Sequence, residues 1–274
     1  MTDRQHIPTQ SYGVLHRREA QTPEAEAVEQ ILDLGYAVLS AGFSSEEIGH
    51  VRQEFDRVRS AYVGRHGEAF LKKLGEFDTI RALLTQGSKV FLDLALNASL
   101  MSLLKRLIDG KFILNQQNGI VNPPRQDYSQ SAWHRDLPYQ HFVSTTPLAI
   151  NALYCVDDFT VDNGATFVLP ASHRSPALGS RAYVERNAVQ LIAPAGSFIV
   201  LDCMVFHAGG FNGTGEARRA VNHMFNIPYF KQQIQLPRNL DPESLSPEAR
   251  DVLGFNYTEP DSVEDYLSRR AART

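Results

Sequence analysis

From residue 112 onward the sequence breaks into short apolar runs, at 112–121, 149–156, 166–169, 197–206 and 219–229, separated by clusters of Gly, Pro and Asn. Runs of this length bounded by turn residues are strands, and several in succession fold as a barrel or a sandwich. The residues before them carry a helical period instead. Thr22-Pro23 with Glu24 and Glu26 marks a helix start, Val28, Ile31 and Leu32 form its stripe, and Gly35 stops it. Residues 36–40 form a short strand, and Ser44 to Glu47 is a capping box ahead of Ile48, Val51, Phe55, Val58 and Tyr62, which step by three and four. Further helices are expected over 88–96 and 99–109, and a last one from Ser246-Pro247-Glu248 to Gly254, with a frayed tail from Arg269. No G-x-G-x-x-G follows a strand, which excludes a dinucleotide-binding sheet.

A chain of 274 residues fits one domain: a helical part over about 22–110, a β core over about 111–230 and a helical extension over about 231–274. The net charge of −4 and the lack of any dense basic cluster argue against nucleic acid. No window approaches 18 apolar residues and residues 1–11 are polar, so the expectation is a soluble cytoplasmic protein, monomer or homodimer, acting on a small molecule. Cys155 and Cys203, each inside an apolar run, suit reduced core thiols.

Chemistry concentrates in three places. In Trp133-His134-Arg135-Asp136 an extended backbone points His134 and Asp136 to one face, an imidazole and a carboxylate for one cation. His207 ends the apolar run 197–206, where a strand meets a pocket mouth. Two histidines and one carboxylate match the facial triad of non-haem Fe(II) oxygenases, with zinc as the competing metal. After His207, a hairpin centred on Asn212-Gly213 sets Arg218 directly opposite His207 and turns Arg219 to the other face. A guanidinium beside such a site anchors a carboxylate bidentately.

This constellation resembles the phytanoyl-CoA dioxygenase family of Fe(II)/2-oxoglutarate oxygenases, which includes ectoine hydroxylase and many tailoring hydroxylases of microbial natural products. The resemblance covers most of the chain, including 35–39, 44–48, the stretch 162–174, Pro194 to Ser197 and Leu253-Gly254-Phe255. It implies a double-stranded β-helix (jelly roll, cupin-like), mainly β with flanking helices. It implies His134, Asp136 and His207 as iron ligands, Arg218 as the 2-oxoglutarate arginine, O2 as second cosubstrate, and hydroxylation of a small-molecule metabolite. It also places Gln117 near the cosubstrate. Several members carry a serine two residues after the distal histidine, where this chain has Gly209, so Thr214 or a strand residue would supply the hydroxyl. Residues 65–77 and 125–142 are the expected pocket lining, and Gly164 and His173 are expected to be structural. The alternative is a metal-dependent jelly roll that is not an oxygenase, such as a zinc-dependent isomerase.

Overall fold

The computed structural model describes residues 8–127, 129–137 and 143–272. Among the described residues nine strands make two sheets: β1 (Tyr36–Ser40), β2 (Thr79–Ile80), β3 (Ile113–Asn122), β4 (Ala149–Cys155), β5 (Phe167–Val168), β6 (Val189–Gln190), β7 (Ser197–Asp202), β8 (His207–Ala208) and β9 (Arg218–Asn226). The larger runs β1-β7-β4-β9-β3-β2 and the smaller β6-β5-β8. Of the helices, α1 (Pro23–Leu34), α2 (Ser45–His66), α4 (Lys89–Ala95) and α5 (Ala98–Leu107) lie near the predicted bounds, as does α7 (Pro247–Val252). Thr22 caps α1, Gly35 ends it at φ 87°, and the Ser44/Glu47 capping box opens α2.

Three helices escaped the sequence reading: α3 (Glu68–Leu74), α6 (Arg181–Asn187) and α8 (Val263–Ala271). The tail is therefore helical rather than frayed as far as Ala271. Ser262 caps α8 by accepting from the Asp265 amide at 3.1 Å, and Asp265 pairs with Arg269.

Parity along the strands decides what each residue meets. Phe198 and Val200 of β7 join Val221 and Phe225 of β9 against Ile31, Phe55, Phe91 and Leu104 of the helices. Ile199, Leu201, Cys155 and Ala220 face the other way and pack with Val168, Leu191 and Ala193 near the smaller sheet. Buried on both faces, β7 reads as a continuous apolar run rather than an alternation. Cys155 and Cys203 are free and buried. Among the described residues no helix is long and apolar enough to cross a membrane.

One buried polar pair lies on the helix side of the larger sheet. His223 is fully buried; its Nδ1–H donates to Ala152 O at 3.0 Å and its Nε2 accepts from Gln117 Nε2 at 2.9 Å. Burial pushes its pKa down to about 4. An unfolded histidine titrates near 6.5, so between these values the unfolded chain binds the extra proton and stability falls as pH drops. The expected loss from pH 7 to about pH 4 is about 3 kcal/mol from this group, read by denaturant unfolding. His223→Phe should lose correspondingly less over the same range; an unchanged pH slope would exclude His223 as the source.

Candidate metal centre

His134 and His207 face each other because their backbones pair. His134 N donates to His207 O at 3.0 Å and His207 N returns the bond to His134 O at 3.0 Å, as opposed residues of an antiparallel ladder do. Their rings stand side by side with centroids 4.3 Å apart. Asp136, two residues on, is tied to the same turn through its amide to Cys203 O at 3.1 Å. Its Oδ1 lies 3.5 Å from His207 Nε2 and 3.9 Å from His134 Nε2. One ligand atom from each of the three lies within 4.8 Å of the others, a span that could hold a metal ion.

The donor chemistry fits a divalent cation. His134 Nδ1 bonds Ala132 O at 2.8 Å and His207 Nδ1 bonds Val205 O at 3.1 Å. Each carbonyl holds the proton on Nδ1 and leaves the Nε2 lone pair for the cation. Asn151 on β4 donates to Asp136 Oδ2 at 2.6 Å, which turns Oδ1 toward the histidines. Burial alone would raise the Asp136 pKa, but His207 and Asn151 more than reverse it and hold the carboxyl below its ordinary value. Burial opposes charge on His207 too, yet the Asp136 carboxylate leaves that pKa raised. His134 is lowered by burial, then by His207. Asn151→Ala should lower metal affinity about ten- to a hundredfold while all three ligands remain, as loss of a partner behind a ligand does. Anaerobic dialysis against Fe(II) checks this.

Arg135 points away from the ligands, as alternation requires. Its Nε donates to Met204 O at 2.6 Å, its Nη2 to the Ser172 and Ser175 carbonyls, and its guanidinium lies 4.0 Å over the Phe206 ring. It ties the His-x-Asp segment to the turn that carries His207.

Arg218 reaches the centre by a route that differs from the expected hairpin. The strand before His207 stops at Asp202, whose Oδ1 accepts from Met204 N at 2.8 Å in a turn, and β8 then joins β5 in the smaller sheet. β9 belongs to the larger sheet, with Arg218 opposite Asn122. Asn212 and Gly213 lack the positive φ that a two-residue hairpin turn needs. Instead the glycines let the connection cross between sheets in close quarters: a Cβ on Gly164 would stand 2.3 Å from Gly210 O. The cross-strand neighbours of His207 are thus His134 and Val168, and Arg218 meets it only across the small cavity that they line. Parity survives the error. Arg218 is buried, 3.8 Å over the Phe159 ring, and shares with His134 and His207 a cavity of about 40 Å³. Arg219 turns out to Asp157 at 2.7 Å and Asp56 at 2.5 Å.

Two sequence candidates are not brought to this cavity. Gln117 lies on the opposite face of β3, donating to Phe91 O at 2.6 Å and pairing with His223. A register shift between Leu114 and Gln116 and strict alternation turn Gln116 and Asn118 toward the metal side instead. Thr214 is occupied within its own loop, donating to Asn212 Oδ1 at 2.7 Å. The hydroxyl residue lining the small cavity is Thr166, with Asn151 and Asn222, none of which sequence reasoning singled out. Thr166 has the signal, since it shares parity with Val168, the residue paired to His207. His173 is structural as expected, against Gly35 and near Leu32 O. A further histidine of the sequence, His141, which would be a spare core or rim residue, lies outside the described residues.

A larger cavity of about 570 Å³ adjoins the centre at His134 and Asp136. Gln130 and residues 134–137 contribute to it, whereas Thr79 and Arg81 take the place expected of 65–77. Part of the expected stretch 125–142 lies outside the described residues.

Fold and site together define a class: a helix-backed pair of β-sheets with a two-histidine, one-carboxylate candidate metal centre. The phytanoyl-CoA dioxygenase (PhyH) family model matches residues 32–220. The chain belongs to that family. It is 31% identical over 252 residues to the uncharacterized protein Rv1501 of Mycobacterium tuberculosis, covering 88% of this chain and 91% of that one. It is 33% identical over 132 residues to the iron/alpha-ketoglutarate-dependent dioxygenase penM of Penicillium thymicola, covering 44% and 41%. Among solved structures it is similar in fold to EctD from S. alaskensis with 2-oxoglutarate and 5-hydroxyectoine (TM-score 0.64, 20% identity, 79% of this chain and 81% of that one). It is also similar to the epimerase SnoN with Fe3+, alpha ketoglutarate and nogalamycin RO (TM-score 0.59, 16% identity, 82% and 92%).

Proposed function

We propose that the chain is an Fe(II)- and 2-oxoglutarate-dependent dioxygenase that hydroxylates an unactivated C–H of a small-molecule metabolite in natural-product biosynthesis. The carrying observation is that His134 and His207 share one small cavity with the buried Arg218, while His134 and Asp136 of the same trio line the larger one. The iron/alpha-ketoglutarate-dependent dioxygenase penM and the SnoN complex with Fe3+ and alpha ketoglutarate support the same cofactor pair, and the EctD complex supports 2-oxoglutarate. The two sheets support a double-stranded β-helix working as one domain over 1–274.

In this reading His134, Asp136 and His207 would hold Fe(II), two imidazoles and one carboxylate being a donor set that suits it. Iron with 2-oxoglutarate bound supplies the oxidising power for C–H cleavage. Arg218, held on Phe159, takes the distal carboxylate of 2-oxoglutarate. Thr166 offers a hydroxyl beside it. Asn151 keeps Asp136 oriented, and the buried wall around His207 excludes water. A carboxylate at Asp136 completes the donor set from the protein itself, which favours oxygen insertion over halogenation.

The test is turnover under ¹⁸O2 with Fe(II) and 2-oxoglutarate. Succinate carrying one labelled oxygen, and a product carrying the other, is the expected result. Succinate with an epimerised, unlabelled product would keep the cofactor pair and replace hydroxylation. No succinate, with activity restored by Zn(II), would favour the isomerase alternative.

A further inference from the structure

We propose that the 570 Å³ cavity takes a neutral, polyhydroxylated small molecule of the glycoside kind, and neither an acyl chain nor a phosphorylated ester. This rests on the functional reading above for the place of reaction. The argument comes from the wall itself. Six carboxamide side chains line it: Asn115, Gln116, Asn118, Gln130, Asn222 and Gln233. A carboxamide both donates and accepts, and so does a hydroxyl, so a polyol can satisfy such a wall in either sense. Asn222 Oδ1 is buried and accepts no hydrogen bond within the protein. An acyl chain would strip water from these groups and return nothing.

Charge leads to the same ligand. Arg81 is clamped by Glu76 at 2.6 and 2.7 Å. Arg135 is taken up by backbone carbonyls, and Lys231 stands in solvent 3.4 Å from Glu259. Among the described lining residues, every guanidinium and ammonium group therefore has a partner, and a phosphate would have to compete for each one. Leu137, Met224 and Phe230 add an apolar strip that suits the C–H face of a saturated ring. The volume lies in the range of sites for one small ligand.

Ligand-observed NMR on the full chain tests this, with methyl glucoside, trehalose and maltose as hydroxylated probes and octanoate and octanoyl-CoA as acyl probes. Expected is saturation transfer to at least one glycoside, with affinity about tenfold weaker or worse in Gln116→Leu and in Asn222→Leu. Thermal melts of both variants verify folding. Silence from all three glycosides, transfer to the acyl probes alone, or a glycoside signal unchanged in both variants would overturn the proposal. The spectrum of the Fe(II)–2-oxoglutarate complex is read separately on the wild type. Its absence alongside glycoside binding would strike the functional reading and leave the cavity assignment standing.

Discussion

His207→Ala is expected to lose tight Fe(II) binding. Structural metal sites are worth about 10–16 kcal/mol over four ligands, roughly 2.5–4 kcal/mol per ligand, so removing one should weaken affinity by about seventyfold to nearly a thousandfold. The effect should exceed that of Asn151→Ala, which leaves every donor in place. His207 is the sharpest choice within the trio because it is the buried partner that holds the Asp136 carboxyl low. Anaerobic dialysis followed by metal analysis measures the change. Wild-type affinity in His207→Ala would remove this residue from the site.

Arg218→Ala is expected to cost about 2–4 kcal/mol of 2-oxoglutarate binding, roughly thirty- to nearly a thousandfold, because a charge-assisted contact in a buried cavity is lost. Arg219→Ala should leave that affinity near the wild-type value. Arg219 instead holds Asp157, whose carboxylate also accepts from the Arg219 backbone amide at 2.9 Å and from Arg52 at 3.2 Å. Its removal should appear as a lower melting temperature. Calorimetric titration of 2-oxoglutarate into Fe(II)-loaded protein under anaerobic conditions separates the two. Loss of the cosubstrate in Arg219→Ala with retention in Arg218→Ala would reverse the assignment.

Local signals in the sequence were reliable wherever the physics is local. Thr22-Pro23, Gly35 and the Ser44 to Glu47 box state their helix ends outright, and His134-x-Asp136 states a shared face. What escaped was non-local. The step from Asp202 through a turn into β8 is made inside a run whose one charged residue is Asp202 itself, so a single Asp is all that announces that His207 changes sheets. Asn212-Gly213 carries a hairpin signal, but the close approach of Gly164 to Gly210 uses those glycines for a crossing. Arg218 still lines the cavity of His134 and His207, although its strand partner is Asn122, because its side is set by the strand it begins and not by the turn before it. Gln117 failed for the complementary reason: an offset counted along the chain does not register the shift at Leu114/Gln116. The carboxamides of the larger cavity come from strands and loops far apart in sequence, and only folding collects them.

The central claim is that the trio and Arg218 form one site for Fe(II) and 2-oxoglutarate together. Anaerobic addition of Fe(II) and then 2-oxoglutarate to the wild-type protein, followed by visible absorbance, tests it most directly. A charge-transfer band that needs both additions, saturates at one equivalent of iron and is absent from Asp136→Ala is the predicted result. A protein that binds iron yet develops no band with 2-oxoglutarate, or a band that persists in Asp136→Ala, would contradict it.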